Sequence, residues 1–348
     1  RQRQMCIRDS HRSMDSKNRL ISFMQAFGII LVMAGHSTYQ LGHAGHVPSI
    51  CRWLYTFHMP LFFFISGYLL KYSNTRKGIQ LSDMPALGKD GFITGKARRL
   101  LVPYVIISSV VFIPKTMMSA IALRPVDMSV WSYLGMLLYP HTNVIGYFWF
   151  LPSLFLIFCM AYIAAKTKAK TNDSLLIVCL IAVSIVNPGT GFLGLDSALY
   201  NAVFFAAGYM FRKHMLETVV GRHSATAAAV TFTVSVALMY APDTGIRYLL
   251  TSFNGILMSV ALAHLYIAGK MRFLDHLDGA TYTIYLLSWF PQVASQQILI
   301  SLVPGITWHV TTALAFFSGL YVPLMVHRWV RKRSGSPSCR WINAALGM

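Results

Sequence analysis

Residues 20–38 (LISFMQAFGIILVMAGHST) contain no Asp, Glu, Lys or Arg, and near their end stands a Gly35–His36 pair. Crossing a bilayer as a helix takes about 20 predominantly apolar residues, and this run is long enough. A second stretch follows at once, residues 53–70 (WLYTFHMPLFFFISGYLL), and it carries His58 and Ser66–Gly67. Ionisable side chains are costly to place inside a span and by default mark function. Two imidazoles in adjacent spans therefore point to chemistry within a membrane.

Runs of this kind recur along all 348 residues. They predict ten spans, at about 20–38, 53–70, 100–122, 144–165, 174–187, 197–211, 223–241, 248–268, 280–302 and 308–327. Only 12% of the residues are charged and 55% are hydrophobic, whereas soluble domains carry about 25% charged residues. The expected fold is an all-α polytopic membrane protein of about ten transmembrane helices. One transmembrane domain is expected to fill residues 14–333, after a non-native or disordered leader at 1–13 and before a cytoplasmic tail at 334–348. Pro103 and Pro114 predict a kinked third span. The fifth and sixth spans are short, and residues 131–139 (WSYLGMLLY) are too few to cross, so they are read as interfacial.

The net charge of +19 does not signal nucleic-acid binding, because no folded basic module exists outside the spans. Lys and Arg instead gather in alternate loops. Twenty-two of the 30 fall on the side of residues 71–99 and 328–333, against four (Arg52, Lys115, Arg124 and Arg247) on the other. Cytoplasmic loops are the basic ones, so both termini are expected in the cytoplasm. All eleven acidic residues map to loops or tails, which argues against the intramembrane carboxylate relays of proton-coupled transporters. The five cysteines are scattered without metal-ligand spacing, giving no expected metal site or disulfide.

Imidazole titrates near neutral pH, which suits His36 to moving a proton. Gln25 lies eleven residues earlier, about three turns, and so shares its face of the helix. The competing reading is a histidine that bonds a neighbouring helix. His58 has the same two readings, with an aromatic belt beside Tyr55 and Phe57 as the alternative. Ser66–Gly67 reads as a close-packing pair. Arg98 and Arg99, at the mouth of a Pro-containing helix, are suited to phosphate or to ordinary positive-inside anchoring. Trp149 stands in an aromatic cluster, residues 147–152, and Ser288 and Gln292 are polar positions within 282–292 (YTIYLLSWFPQ). His264 is a further candidate, with packing favoured.

Together these segments resemble the acyltransferase 3 family of membrane O-acyltransferases, and more narrowly its fucose 4-O-acetylase-like, exopolysaccharide-acetylating branch. The resemblance is carried in order by residues 22–37 (SFMQAFGIILVMAGHS), 57–70, 96–104 (KARRLLVPY), 147–155 (YFWFLPSLF) and 282–292. It implies transfer of an acyl group, expected to be acetyl, from acyl-CoA to a hydroxyl of a sugar or lipid-linked glycan. The expected location is the cell (inner) membrane, in contact with its lipids, with no nucleic acid involved. Acetyl-CoA enters as donor substrate rather than as a resident cofactor. His36 matches the family's proton-transferring histidine, and His58 is its expected catalytic partner. Arg98 and Arg99 match the basic pair before the third-span proline, where donor phosphate would be held. Gln25, Ser66, Trp149 and Ser288 are the substrate-binding candidates. The chain departs from the family at Gln25, where a basic residue is usual, and at Ser22, where an acidic one is common. A polysaccharide or small-solute exporter is the alternative reading.

Overall fold

The computed structural model describes residues 2–38, 49–117, 126–167, 172–186, 189–241, 244–303 and 305–333, and the side chains among them except those of 2–18 and 49–51. The predicted tail at 334–348 lies outside the described residues, as does Arg124 of the charge count. Among the described residues there are no strands, only helices and turns. The α-helices are α1 (Gln2–Thr38), α2 (Ser49–Lys77), α3 (Phe92–Met117), α4 (Val130–Leu138), α5 (Phe150–Lys166), α6 (Asp173–Ile185) and α7 (Leu195–Lys213). They continue as α8 (Leu216–Arg222), α9 (Ser224–Met239), α10 (Gly245–Ala268), α11 (Thr281–Leu287), α12 (Trp289–Leu302) and α13 (Trp308–Lys332).

Among the described residues, five segments are long and apolar enough to cross a membrane: Arg19–Thr38, Arg52–Lys77, Phe92–Met117, Gly245–Ala268 and Trp308–Lys332. Shorter apolar helices are α5, α6 and α9. Large apolar side chains stand exposed on several of them, among them Val110, Ile113, Phe232 and Met325, as expected of a surface whose solvent is lipid. Three helices start where short polar side chains take up orphan N–H groups. Ser129 accepts from the N–H of Ser132 before α4, Asn172 from Ser174 before α6, and Thr244 from Arg247 before α10.

Three boundaries differ from the sequence expectation for local reasons. The third predicted span begins eight residues early, at Phe92, so Lys96, Arg98 and Arg99 lie on the first turns of α3 rather than ahead of it. The fourth begins at Phe150 rather than 144. Asn143 holds the preceding segment in a turn there, its Oδ1 accepting the N–H of Ile145 at 2.9 Å. The ninth is interrupted at Ser288, between α11 and α12. Pro291 lacks the N–H that would bond the carbonyl of Leu287 four residues back, which weakens the ladder at that point.

The chain divides into two compact units, the first made of residues 1–68 and 208–327, the second of residues 69–207 and 328–348. In the first, α10 packs against α9, α1 and α8. Asn254 on α10 donates to the Thr231 carbonyl and the Ser235 hydroxyl of α9 at 2.8 and 2.7 Å. Leu31, Leu54, Phe57 and Met258 form a core there. Phe57 fits because Gly255 has no side chain: a Cβ at 255 would overlap the Phe57 ring. In the second unit, α3 packs against α5, and α4 lies beside α3 and the short turn at Phe192–Gly194.

Candidate functional site

His36 and His58 meet in the first unit. Their rings face edge to plane with centroids 6.3 Å apart, and Tyr55 completes a trio, its ring 5.0 Å from that of His58. The Tyr55 hydroxyl stands 3.4 Å from Nδ1 of His36. His58 is fully enclosed, and its Nδ1 lies 2.7 Å from the Leu54 carbonyl. A carbonyl only accepts, so Nδ1 must carry the proton, and the lone pair of the neutral ring is on Nε2. That is the tautomer with a basic nitrogen directed away from its own helix.

The backbone around the trio is fixed by polar links that apolar packing alone would not supply. Pro60, inside α2, removes the N–H that would bond the Thr56 carbonyl. Ser252 of α10 replaces it, its Oγ donating to Thr56 O at 2.6 Å. On α1, two glutamines of α12 hold the turn that carries His36. Gln292 reaches the Met33 carbonyl at 3.5 Å and Gln296 the Ser37 carbonyl at 3.1 Å. The two pairs have the same four-residue spacing, so one turn of α12 is stapled to one turn of α1. Gln296 was not singled out from sequence. The available signal was two amides at i and i+4 on one helix.

The remaining predicted site residues are not part of the trio. Gln25 is half-buried and lies about 16 Å along α1 from His36. Ser22, near it, donates to Oδ1 of Asp278 at 2.7 Å. Ser66 bonds its own helix at the Phe62 carbonyl, 2.8 Å away, about 12 Å along α2 from His58. Ser288 is buried at the α11–α12 junction, its hydroxyl 3.5 Å from the Tyr285 carbonyl. His264 packs against Gly221 of α8. Among the described residues, two carboxylates expected in loops or tails are buried on helices, Asp196 of α7 and, near His264, Glu217 of α8. Glu217 is 3% exposed and ion-paired with Arg212 at 2.5 Å.

Arg98, Arg99 and Trp149 belong to the second unit. The arginines are exposed on the first turns of α3. Beside them the Lys96 ammonium lies 3.8 Å from the Phe158 ring centroid and 5.3 Å from that of Phe92, a cation–π arrangement that orients the basic cluster. Trp149 stacks on His141 with centroids 5.3 Å apart. Among the described residues no group of His, Cys, Asp or Glu is arranged to hold a metal ion.

What the first unit offers is a pair of imidazoles, one with its tautomer fixed by a backbone carbonyl, beside a phenol in an apolar enclosure. Such a set can take a proton from a hydroxyl and return it to a leaving group. What the second offers is an exposed basic cluster suited to an anion. No curated protein and no solved structure matches the chain. Residues 18–328 match the family model of the acyltransferase 3 group, described as an acyltransferase domain. With that match covering nearly all of the described chain, the protein belongs to the acyltransferase 3 family of membrane O-acyltransferases.

Proposed function

We propose that the protein transfers an acetyl group from acetyl-CoA to a hydroxyl of a sugar or exopolysaccharide, as the fucose 4-O-acetylase-like branch does. It would act as a ten-span protein of the inner membrane with both termini in the cytoplasm. The observation that carries this reading is the His36–His58–Tyr55 trio. His36 takes the proton of the acceptor hydroxyl as that oxygen attacks the thioester carbonyl. The C–O bond forms, the C–S bond breaks, and the CoA thiolate leaves with a proton returned from the imidazole. A backbone N–H supports the charge that develops on the carbonyl oxygen, while His58, its Nδ1 proton held by Leu54, offers the Nε2 lone pair as a second proton acceptor beside His36. Arg98 and Arg99 hold donor phosphate, a role for which the forked guanidinium is suited.

The test is acetyl transfer from labelled acetyl-CoA in membranes containing the wild-type chain or His36→Ala. Losing a general base lowers the rate by about 10²–10⁴-fold, so transfer should fall to near background. Unchanged transfer would remove His36 from the chemistry. Chemical analysis of O-acetyl groups on surface polysaccharide, with and without the gene, tests the acceptor class separately.

A further inference from the structure

We infer that Ser197 and His141 form a second acyl-handling centre, a serine nucleophile with its base, in the unit that lacks the histidine trio. The two residues are 56 positions apart, yet the Ser197 hydroxyl lies 2.7 Å from Nε2 of His141. That is the contact an activated serine requires. Ser197 Oγ–H donates to Nε2 in the tautomer that keeps the ring proton on Nδ1.

Three features hold the pair in place. Stacking on Trp149, with planes 19° apart, fixes the imidazole. The loop before Ser197 is tightly wound: Gly191, Leu193 and Gly194 all have left-handed backbones, with φ of 68°, 53° and 75°. Leu193 is the costly one, since a side chain there opposes that conformation; such strain collects at functional positions. Asp196 closes the loop, its carboxylate accepting the Gly191 N–H and, at 3.1 Å, the Thr190 hydroxyl. Its charge also reaches His141, but partial burial outweighs it and holds the imidazole below its ordinary value. The ring is therefore neutral at pH 7, the form that accepts a proton.

A fourth feature points to a ligand. Asn201, one turn after Ser197 on α7, is 3% exposed and donates to the Ser197 carbonyl at 2.8 Å. Among the described residues, its buried Oδ1 has no hydrogen-bond partner. A buried acceptor left unanswered is destabilising, and a hydroxyl or amide of a bound acyl compound would answer it. Within this unit the pair lies at the start of α5. The far end of α5 meets the start of α3, where Tyr162 stacks on Phe92 beside Lys96.

The step is an acyl transfer. Ser197 Oγ attacks the carbonyl carbon of an ester or thioester while its proton passes to His141 Nε2. The bond from carbonyl carbon to the leaving oxygen or sulfur breaks, and that atom departs with the proton. An alcohol or water then attacks the serine ester, giving its proton to Nε2, and Ser197 regains a proton as it is released. Only the identity of the acyl group as acetyl rests on the proposed function.

The experiment treats the full chain, in membranes, with a fluorophosphonate probe, followed by peptide mass spectrometry. The expected adduct is on Ser197, absent in Ser197→Ala, and formed about 10²-fold or more slowly in His141→Gln. An unlabelled wild-type chain, an adduct elsewhere, or equal labelling of His141→Gln would overturn the inference. Mapping the adduct on the wild type needs no variant to fold. His36→Ala should label normally, so a failed acetyl transfer with intact labelling strikes the proposed function alone. Lost labelling with intact transfer strikes only the Ser197 centre.

Discussion

Replacing Ser252 by Ala isolates the device that locks α2 beside His58. Pro60 leaves the Thr56 carbonyl without its intrahelical donor, and the fully buried Ser252 hydroxyl supplies the replacement at 2.6 Å. Ser252→Ala strands that carbonyl in an apolar interior, which costs about 1–3 kcal/mol. If Pro60 is the reason, Pro60→Ala restores an N–H to the same oxygen. In that background the serine becomes an ordinary second donor worth about 0.5–1.5 kcal/mol. The four proteins form a double-mutant cycle with an expected coupling near 1 kcal/mol. Thermal unfolding of the full chain in detergent reads this directly, since larger domains shift by about 2–4 °C per kcal/mol. Equal destabilisation by Ser252→Ala in both backgrounds would refute the reasoning, because the proline would then have left no vacancy for the serine to fill.

Gly255→Ala places a methyl group against the enclosed Phe57 ring; it should destabilise by about 1–3 kcal/mol in the same melts. Gly135→Ala, inside α4 with open space around its Cβ, should instead stabilise by about 0.5–1 kcal/mol, the helical preference of Ala over Gly. Arg212→Met leaves the Glu217 carboxylate buried without its ion-pair partner, a loss of about 3–5 kcal/mol. Much of that loss should return in the Arg212→Met/Glu217→Gln double variant, as judged by thermal unfolding. Arg98→Ala and Arg99→Ala should each raise KM for the acyl-CoA donor by about tenfold, the equivalent of about 1.4 kcal/mol. Both side chains are exposed, so the melting temperature should not move.

Much of the helical plan was legible because a segment in lipid must satisfy its own backbone, and charge-free runs such as residues 20–38 and 53–70 have one way to do so. His36 and His58 were legible for the same reason, as ionisable groups without local excuse. Glu217 was not. Its position between two helices reads as a solvent loop, and only the folding of α8 against α10 buries it. The break in the ninth segment was foreshadowed by Pro291, but sequence gave no means of placing Ser288 at the junction.

By itself, then, the order of residues determined which segments are helical, the family, and the two histidines. Tertiary structure alone decided their partners. Tyr55 reaches His36 across two helices, Gln292 and Gln296 staple carbonyls 259 positions away, and His141 meets Ser197 from a separate turn. Hydropathy marks a segment as a helix without saying which neighbour it will meet, because lipid tails are as apolar as any helix face. Pairing in a membrane follows from close approach at small residues and from scattered polar links. Those links are single side chains whose partners no local pattern reveals.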